Sequence, residues 1–300
     1  MIDNQILIRA AAEPIVCKII RDLKTGTKRS IRNAIEFGII FSKNKKQKEL
    51  FSIAKKVASN GQNMYDGLIK RMLQGVDNNI IKTIGMNLGI SSFSSGGKQI
   101  RKIYDETGKA NSWIEHLEKQ SWSCGENLIG KYNSDGIYAF IVEDISSTNE
   151  LKKLIDIATD MCKSTFFIKI IDNIVDNTTA NLIRAAKNII LVINVEDEFC
   201  KDRQSQLLKV LRENNLLFGF YKNYDETIKI DEEIDKLKSF IKNGYMFGVY
   251  ACKNYNNNVY EWVCKSRING RLPILLFDYY MDTDYIKKMV LKLKFNSENF

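Results

Sequence analysis

The sequence predicts an α/β protein: a partial (β/α)6 TIM-barrel-like arc of parallel strands, preceded by an all-helical N-terminal region. Three observations predict it. From residue 137 onward, six short apolar, β-branched or aromatic runs alternate with helical segments. Those runs start 28, 23, 28, 29 and 28 residues apart. Before residue 110, apolar residues recur instead at helical spacing. Near-continuous apolar strands joined by helices imply a parallel sheet covered on both faces. Right-handed crossovers of near-constant length then bend it into a barrel or an arc.

The N-terminal region shows its helical spacing in Ile15-Val16-Ile19-Ile20-Leu23, in Ile31-Ala34-Ile35 and in Leu50-Phe51-Ile53-Ala54-Val57. Gly26, Gly61, Gly75 and Gly85 fall where helices would stop. Pro14 suits a first helical turn. About five short helices are expected there. The strands that follow are Ile137–Glu143, Thr165–Ile171, Asn188–Val195, Leu216–Lys222, Tyr245–Ala251 and Pro273–Asp278. Helical segments lie between them at Glu150–Met161, Ala180–Lys187, Arg203–Glu213 and Glu232–Ile241. Two units repeat a phrase: Leu217-Phe-Gly219-Phe220-Tyr221 and Met246-Phe-Gly248-Val-Tyr250. A glycine inside a strand marks a bulge, a packing need or a close approach by a neighbour or ligand. The expected organisation is a basic helical region over 1–110, the barrel arc over 111–283, and a C-terminal helix or tail over 284–300.

Composition narrows the chemistry. The chain has 300 residues, a 44% hydrophobic fraction and a net charge of +9. Residues 1–110 carry +11 and residues 111–300 carry −2. The densest run is Lys43-Asn-Lys45-Lys46-Gln-Lys48, followed by Lys55-Lys56. Such a basic half suits a solvated helical face, a nucleic acid or an anionic surface. No apolar run approaches the roughly 18–20 residues of a membrane span, and the N-terminus shows no cleavable signal pattern. A cytoplasmic protein is therefore expected. The six cysteines, at 17, 124, 162, 200, 252 and 264, include no CxxC pair, which argues against zinc ribbons and thioredoxin chemistry. One histidine, His116, excludes a multi-histidine metal site and makes a Ser-His-Asp triad a poor fit. His116 follows Trp113 at helical spacing, as a packed or capping histidine would.

In α/β arcs the chemistry sits at the carboxyl ends of the strands. Here those ends read Glu143-Asp144, Asp172-Asn173, Glu196-Asp197-Glu198, Asn223 with Asp225, Asn254, and Asp278. A ring of oxygens suits a hard divalent cation, with Glu143, Asp144 and Asp278 as candidate ligands. Asp and Asn are equally expected at such positions as helix caps.

Longer phrases carry a family resemblance. Asn188-Ile-Ile-Leu-Val-Ile-Asn-Val-Glu196-Asp-Glu-Phe-Cys-Lys-Asp202-Arg203 is similar to the fourth strand and following loop of radical S-adenosylmethionine (radical SAM) proteins with a helical lead-in. Leu211-Arg-Glu-Asn-Asn-Leu-Leu-Phe-Gly219-Phe resembles their fifth unit. Ile241-Lys-Asn-Gly-Tyr-Met-Phe-Gly248-Val-Tyr resembles the sixth, and Leu272-Pro-Ile-Leu-Leu-Phe-Asp278-Tyr the closing strand. Lys45 to Ser91 resembles the lead-in, so the resemblance spans most of residues 45–280. It implies a barrel that holds a [4Fe–4S] cluster through CxxxCxxC after its first strand. In this chain the matching region, Trp113 to Gly136, offers only Cys124 and is short for a strand, cluster loop and helix. Where the family has Gly-Gly-Glu, this chain has Ile141-Val-Glu143-Asp144. Where the family has Ser-x-Glu-Gly, it has Asn194-Val195-Glu196-Asp197. Glu196, with Asn194, is the position the resemblance leaves for residual S-adenosylmethionine binding; no other cofactor is expected.

Three functions follow as expectations. The first is a catalytically degenerate radical-SAM-like protein that acts as a binding partner or scaffold. The second is an enzyme built on a metal in the carboxylate ring. The third is nucleic-acid or anionic-surface binding through residues 1–110, with affinity that falls steeply with salt. An aromatic group, Tyr250, Tyr255, Tyr260, Trp262, Tyr279 and Tyr280, suits a protein interface or the barrel interior. Loss of the first βα unit would leave an open edge on the next strand and favour a homo-oligomer or another protein partner.

Overall fold

The computed structural model describes residues 4–25, 28–41, 64–118, 126–143, 145–170, 174–195, 201–225, 228–252 and 257–292, with a few single positions between them. The N-terminal region is helical. It comprises α1 (Asn4–Lys24), α2 (Lys28–Phe41), α3 (Tyr65–Gly75), α4 (Asn78–Met86), a π-helix (Asn87–Gly96) and α5 (Gly97–Thr107). The Leu50 to Val57 pattern, Gly26 and Gly61 lie outside the described residues.

Two local expectations are corrected here. Pro14 lies inside α1, which begins ten residues before it. A proline there removes one backbone N–H from the helical ladder, yet α1 continues because packing overrides propensity. Ala12 and Ile20 are buried on its inner face. Gly75 does end α3, but Gly85 lies within α4, and the chain runs on directly into the π-helix.

The sheet has seven parallel strands in simple sequential order: β1 (Ile114–Leu117), β2 (Ala139–Val142), β3 (Thr165–Ile170), β4 (Ile189–Asn194), β5 (Phe218–Asn223), β6 (Phe247–Ala251) and β7 (Leu275–Asp278). Helices α6 (Glu126–Ser134), α7 (Thr148–Asp160), α8 (Asn177–Ala186), α9 (Lys201–Glu213), α10 (Ile230–Lys242) and α11 (Asn257–Asn269) form the crossovers, and α12 (Tyr279–Leu291) follows β7. The architecture is therefore an α/β partial barrel, with β2 to β7 on the six runs read from the sequence.

The seventh strand is β1, in the segment that is short for a strand, cluster loop and helix together and in which no strand was expected. Four residues suffice, because β1 pairs in parallel along its whole length with β2, from Ile114 opposite Ala139 to Leu117 opposite Val142. The open edge expected on β2 is therefore paired. His116 lies on this strand, not on a helix.

Strand alternation sorts the side chains. Phe140, Phe166, Ile168, Leu191, Ile193, Phe218, Phe220 and Leu276 point to one face and are buried. They pack with Leu151 and Leu154 of α7, Ile183 of α8, Leu207 and Leu211 of α9, and Leu237 of α10. Local signals start these helices: Asp176 and Thr179 form a capping box on α8, and Ser147 accepts from the Glu150 amide on α7.

The repeated Phe-Gly phrase is a packing device. A Cβ on Gly248 would fall 2.1 Å from the Phe220 ring, and one on Gly219 would fall 2.5 Å from the Phe247 ring. Each unit's phenylalanine thus lies over the other unit's glycine, on opposite faces of the sheet. A second tight crossing joins the helical region to the barrel. A Cβ on Gly96 would meet the Gly136 carbonyl oxygen at 2.1 Å, and Gly136 holds a φ of 91°.

Several N-terminal basic residues are spent on holding this region in place. Arg9 donates to Ser91 Oγ at 2.7 Å and to Asn87 Oδ1 at 2.9 Å. Asn87 in turn donates to the carbonyls of Cys162 and Ser164, beside the start of β3. Arg71 donates to the carbonyls of Ile241, Tyr245 and Pro273. Arg101 donates twice to the Val290 carbonyl, which ties α5 to α12.

Candidate functional site

The second face of the sheet does not pack on the crossover helices. It lines a half-open cavity of about 1440 Å³ between the strands and α1, α2, α3, α4, the π-helix and α12. Register places its residues in tiers. His116, Ile141, Phe167 and Ile190 lie level across β1 to β4. Lys169, Val192, Gly219, Phe247 and Leu275 form the next tier. Asn194, Tyr221, Val249 and Phe277 form the third.

Away from the carboxyl ends the walls are apolar. Ile8, Val16, Met72, Leu88 and Phe93 contribute from the helical side. The polar groups gather at one end. Lys169 Nζ sits 3.5 Å from Glu143 Oε1 and 3.9 Å from the centre of the Tyr221 ring. That geometry satisfies the ammonium by an ion pair and by the ring's negative face. The Tyr221 hydroxyl donates to Asn223 Oδ1 at 3.2 Å. His116 Nε2 and the Tyr279 hydroxyl are hydrogen-bonded, with the two rings edge to face.

Titration follows from this packing. Partial desolvation holds His116 below its ordinary 6.5; Glu143 pulls the other way, and Lys169 lowers it further. Removal from water pushes the Tyr280 hydroxyl up, and the charges of Glu143, Cys252 and Asp278 add to that.

The residues singled out from the sequence divide as follows. Glu143 faces the cavity, paired with Lys169. Asp278 caps α12, accepting from the Met281 amide at 3.0 Å, and its other oxygen accepts from the Tyr224 hydroxyl at 2.7 Å. Asn194 ends β4, and its Oδ1 is buried with no hydrogen-bond partner among the described residues. Asp144 and Glu196 lie outside the described residues. Among the described residues no three His, Cys, Asp or Glu side chains come together as a metal-ligand set.

Of the aromatic group, Tyr250 and Tyr260 are buried core residues. Trp262 packs edge-on against Tyr250. Tyr279 and Tyr280 line the cavity, and Tyr255 lies outside the described residues. Lys169 and Tyr221 were missed by the sequence reading. Each alternates correctly to be cavity-facing, and that polar interruption of an apolar strand was the available signal.

The described cysteines are spread through the fold. Cys17 is on α1, Cys162 precedes β3, Cys252 follows β6, and Cys264 is buried in α11. Cys162 and Cys252 thus lie at opposite ends of the strands. Cluster ligation uses thiolates that converge on one point, and this described set does not fit a [4Fe–4S] cluster. Cys124 and Cys200 lie outside the described residues.

Fold and site together define an α/β half-barrel whose inner face lines a half-open, largely apolar cavity with polar groups at the strand carboxyl ends. No known family model and no curated protein matches the chain. Among solved structures it is similar to Streptococcus suis SuiB bound to precursor peptide SuiA, at 13% identity and a TM-score of 0.45. That similarity covers 66% of this chain and 56% of the other, so the chain spans little more than half of SuiB's length. It is also similar to a putative lyase/mutase from Burkholderia cenocepacia J2315, at 10% identity and a TM-score of 0.38, over 66% of this chain and 79% of the other. Likeness at this level says nothing about chemistry. No described helix is long and apolar enough to cross a membrane.

Proposed function

We propose that this protein is a degenerate radical-SAM-like protein that works by binding, as a partner or scaffold, and runs no radical chemistry of its own. One observation carries the reading. Among the described residues, the titratable groups Glu143, His116 and Asp278 at the carboxyl ends, where such a barrel would do chemistry, are each engaged: Glu143 with Lys169, His116 with Tyr279, and Asp278 with Tyr224 and its own helix. A catalytic acid, base or ligand must be available to a substrate. The sequence phrases that resemble the family fall on β4, β5, β6 and β7, the strands that build this wall. The scattered placement of the described cysteines supports the same reading.

The metal-dependent alternative draws no support from these contacts, since Glu143 already faces an ammonium and Asp278 is a helix cap. The test is iron and acid-labile sulfide content, with a visible spectrum, after anaerobic purification and reconstitution. A colourless, folded protein with substoichiometric iron is expected. Near-stoichiometric iron and sulfide with broad visible absorption would overturn the proposal and point to Cys124, Cys200 and Cys252 as ligands.

A further inference from the structure

The geometry points to an occupant for the cavity: an uncharged, hydrophobic small molecule with one hydrogen-bonding end. This deepens the binding role proposed above and rests on it. The cavity's 1440 Å³ exceeds the roughly 300–1,000 Å³ of ordinary ligand pockets. It is a half-open cleft with mainly apolar walls, the usual form of a small-molecule site.

Its charged groups are already engaged. Among the described lining residues other than His116, four carry ionisable acid or ammonium groups: Glu143, Lys169, Asp278 and Asp282. Glu143 pairs with Lys169, and Asp282 pairs with Arg267 at 2.8 Å. Asp278 accepts from Tyr224 and from the Met281 amide. Among the described residues an ionic head group meets only charges that are already engaged, so its entry carries a desolvation cost. A neutral one meets Tyr221 and Asn223 at the carboxyl end while its body lies along the apolar walls.

Two glycines keep those walls open. Gly85 on α4 and Gly89 on the π-helix both line the cavity, and a Cβ on either would meet nothing within 4 Å. Neither has a positive φ. Glycine inside a helix costs stability relative to alanine, and no contact of these two requires it. Both are exposed, and they leave the helical side of the cavity open.

The test uses the full chain and the neutral fluorescent probe N-phenyl-1-naphthylamine at pH 7.5. Three displacers differ only in head group: 1-dodecanol, dodecanoate and dodecylammonium, all below micellar concentration. Saturable probe uptake is expected, with dodecanol displacing at least ten-fold more tightly than either charged compound. Gly89→Leu, which projects a branched side chain into the cavity, is expected to weaken uptake at least ten-fold while keeping the thermal transition. Glu143→Gln leaves Lys169 without its carboxylate and is expected to improve dodecanoate at least ten-fold relative to dodecanol. Absence of saturable uptake, uptake unchanged in a folded Gly89→Leu, or a charged compound that matches dodecanol would each overturn the assignment. The head-group series on the unmodified chain decides the matter even if Gly89→Leu does not fold. Iron-loaded protein that still selects dodecanol would sink the pseudoenzyme reading and leave this one standing. Iron-free protein without uptake would do the reverse.

Discussion

His116 and Tyr279 are hydrogen-bonded across the mouth of the arc, joining its first strand to the residue that follows its last. Their ring centroids lie 5.2 Å apart at an interplanar angle of 89°. His116 stays partly exposed, and its partial desolvation against the neighbouring strands favours the neutral form in the folded state. The unfolded chain then binds more protons than the native one just below the ordinary value of 6.5. Stability from this residue is therefore complete above 6.5 and is lost as pH falls from there to the native midpoint. The chain has one histidine, so a single imidazole signal reports it in a proton NMR titration. The expected midpoint is below 6.5, and a midpoint at or above 6.5 contradicts the account.

Gly248→Ala places a methyl group inside the Phe220 ring's space, 2.1 Å from its nearest carbon. Overpacking of this kind costs about 1–3 kcal/mol. Gly130 lies in the middle of α6 with nothing within 4 Å. There the same substitution should raise stability by about 0.5–1 kcal/mol. Chemical denaturation of the two variants checks both signs.

Gly96→Ala should be worse than Gly248→Ala. The obstacle is the Gly136 carbonyl, a backbone atom, and not the edge of a side-chain ring. Rings shift more easily than a backbone pinned by the turn before β2. A loss smaller than that of Gly248→Ala would show that the crossing of α5 over this turn is loose.

Asn87 carries three hydrogen bonds while fully buried: it accepts from Arg9 and donates to the carbonyls of Cys162 and Ser164. Replacement by Ala leaves those carbonyls and the guanidinium short of a partner. Stranded buried polar groups cost about 1–3 kcal/mol each. Asn87→Ala should therefore destabilise the chain by at least about 1 kcal/mol. It should also couple to Arg9→Ala in a double-mutant cycle, since neighbours in one network are not additive. Additive losses would mean that the two residues do not act together.

Residue pattern alone located β2 to β7 and their crossovers, because buried parallel strands are near-continuously apolar and recur at the crossover length. It missed β1, since Ile114-Glu-His-Leu117 has only two apolar residues, and its pairing with β2 is what makes it a strand. It placed His116 on a helix because a three-residue spacing from Trp113 fits both patterns over so short a stretch. The carboxylates at the strand ends were visible, but their partners were not. Glu143 meets Lys169 only because neighbouring strands lie in register, and Asp278 meets Tyr224 across 54 residues. Composition and periodicity determined the fold class, the charge imbalance and the absence of a contiguous cluster motif. Tertiary structure alone decided that the inner face of the sheet lines a half-open cavity, that its described charged groups are each engaged, and that Gly85 and Gly89 face open space. The physical reason is that such a cavity is made by residues from both ends of the chain, and no local pattern records which of them will share a wall.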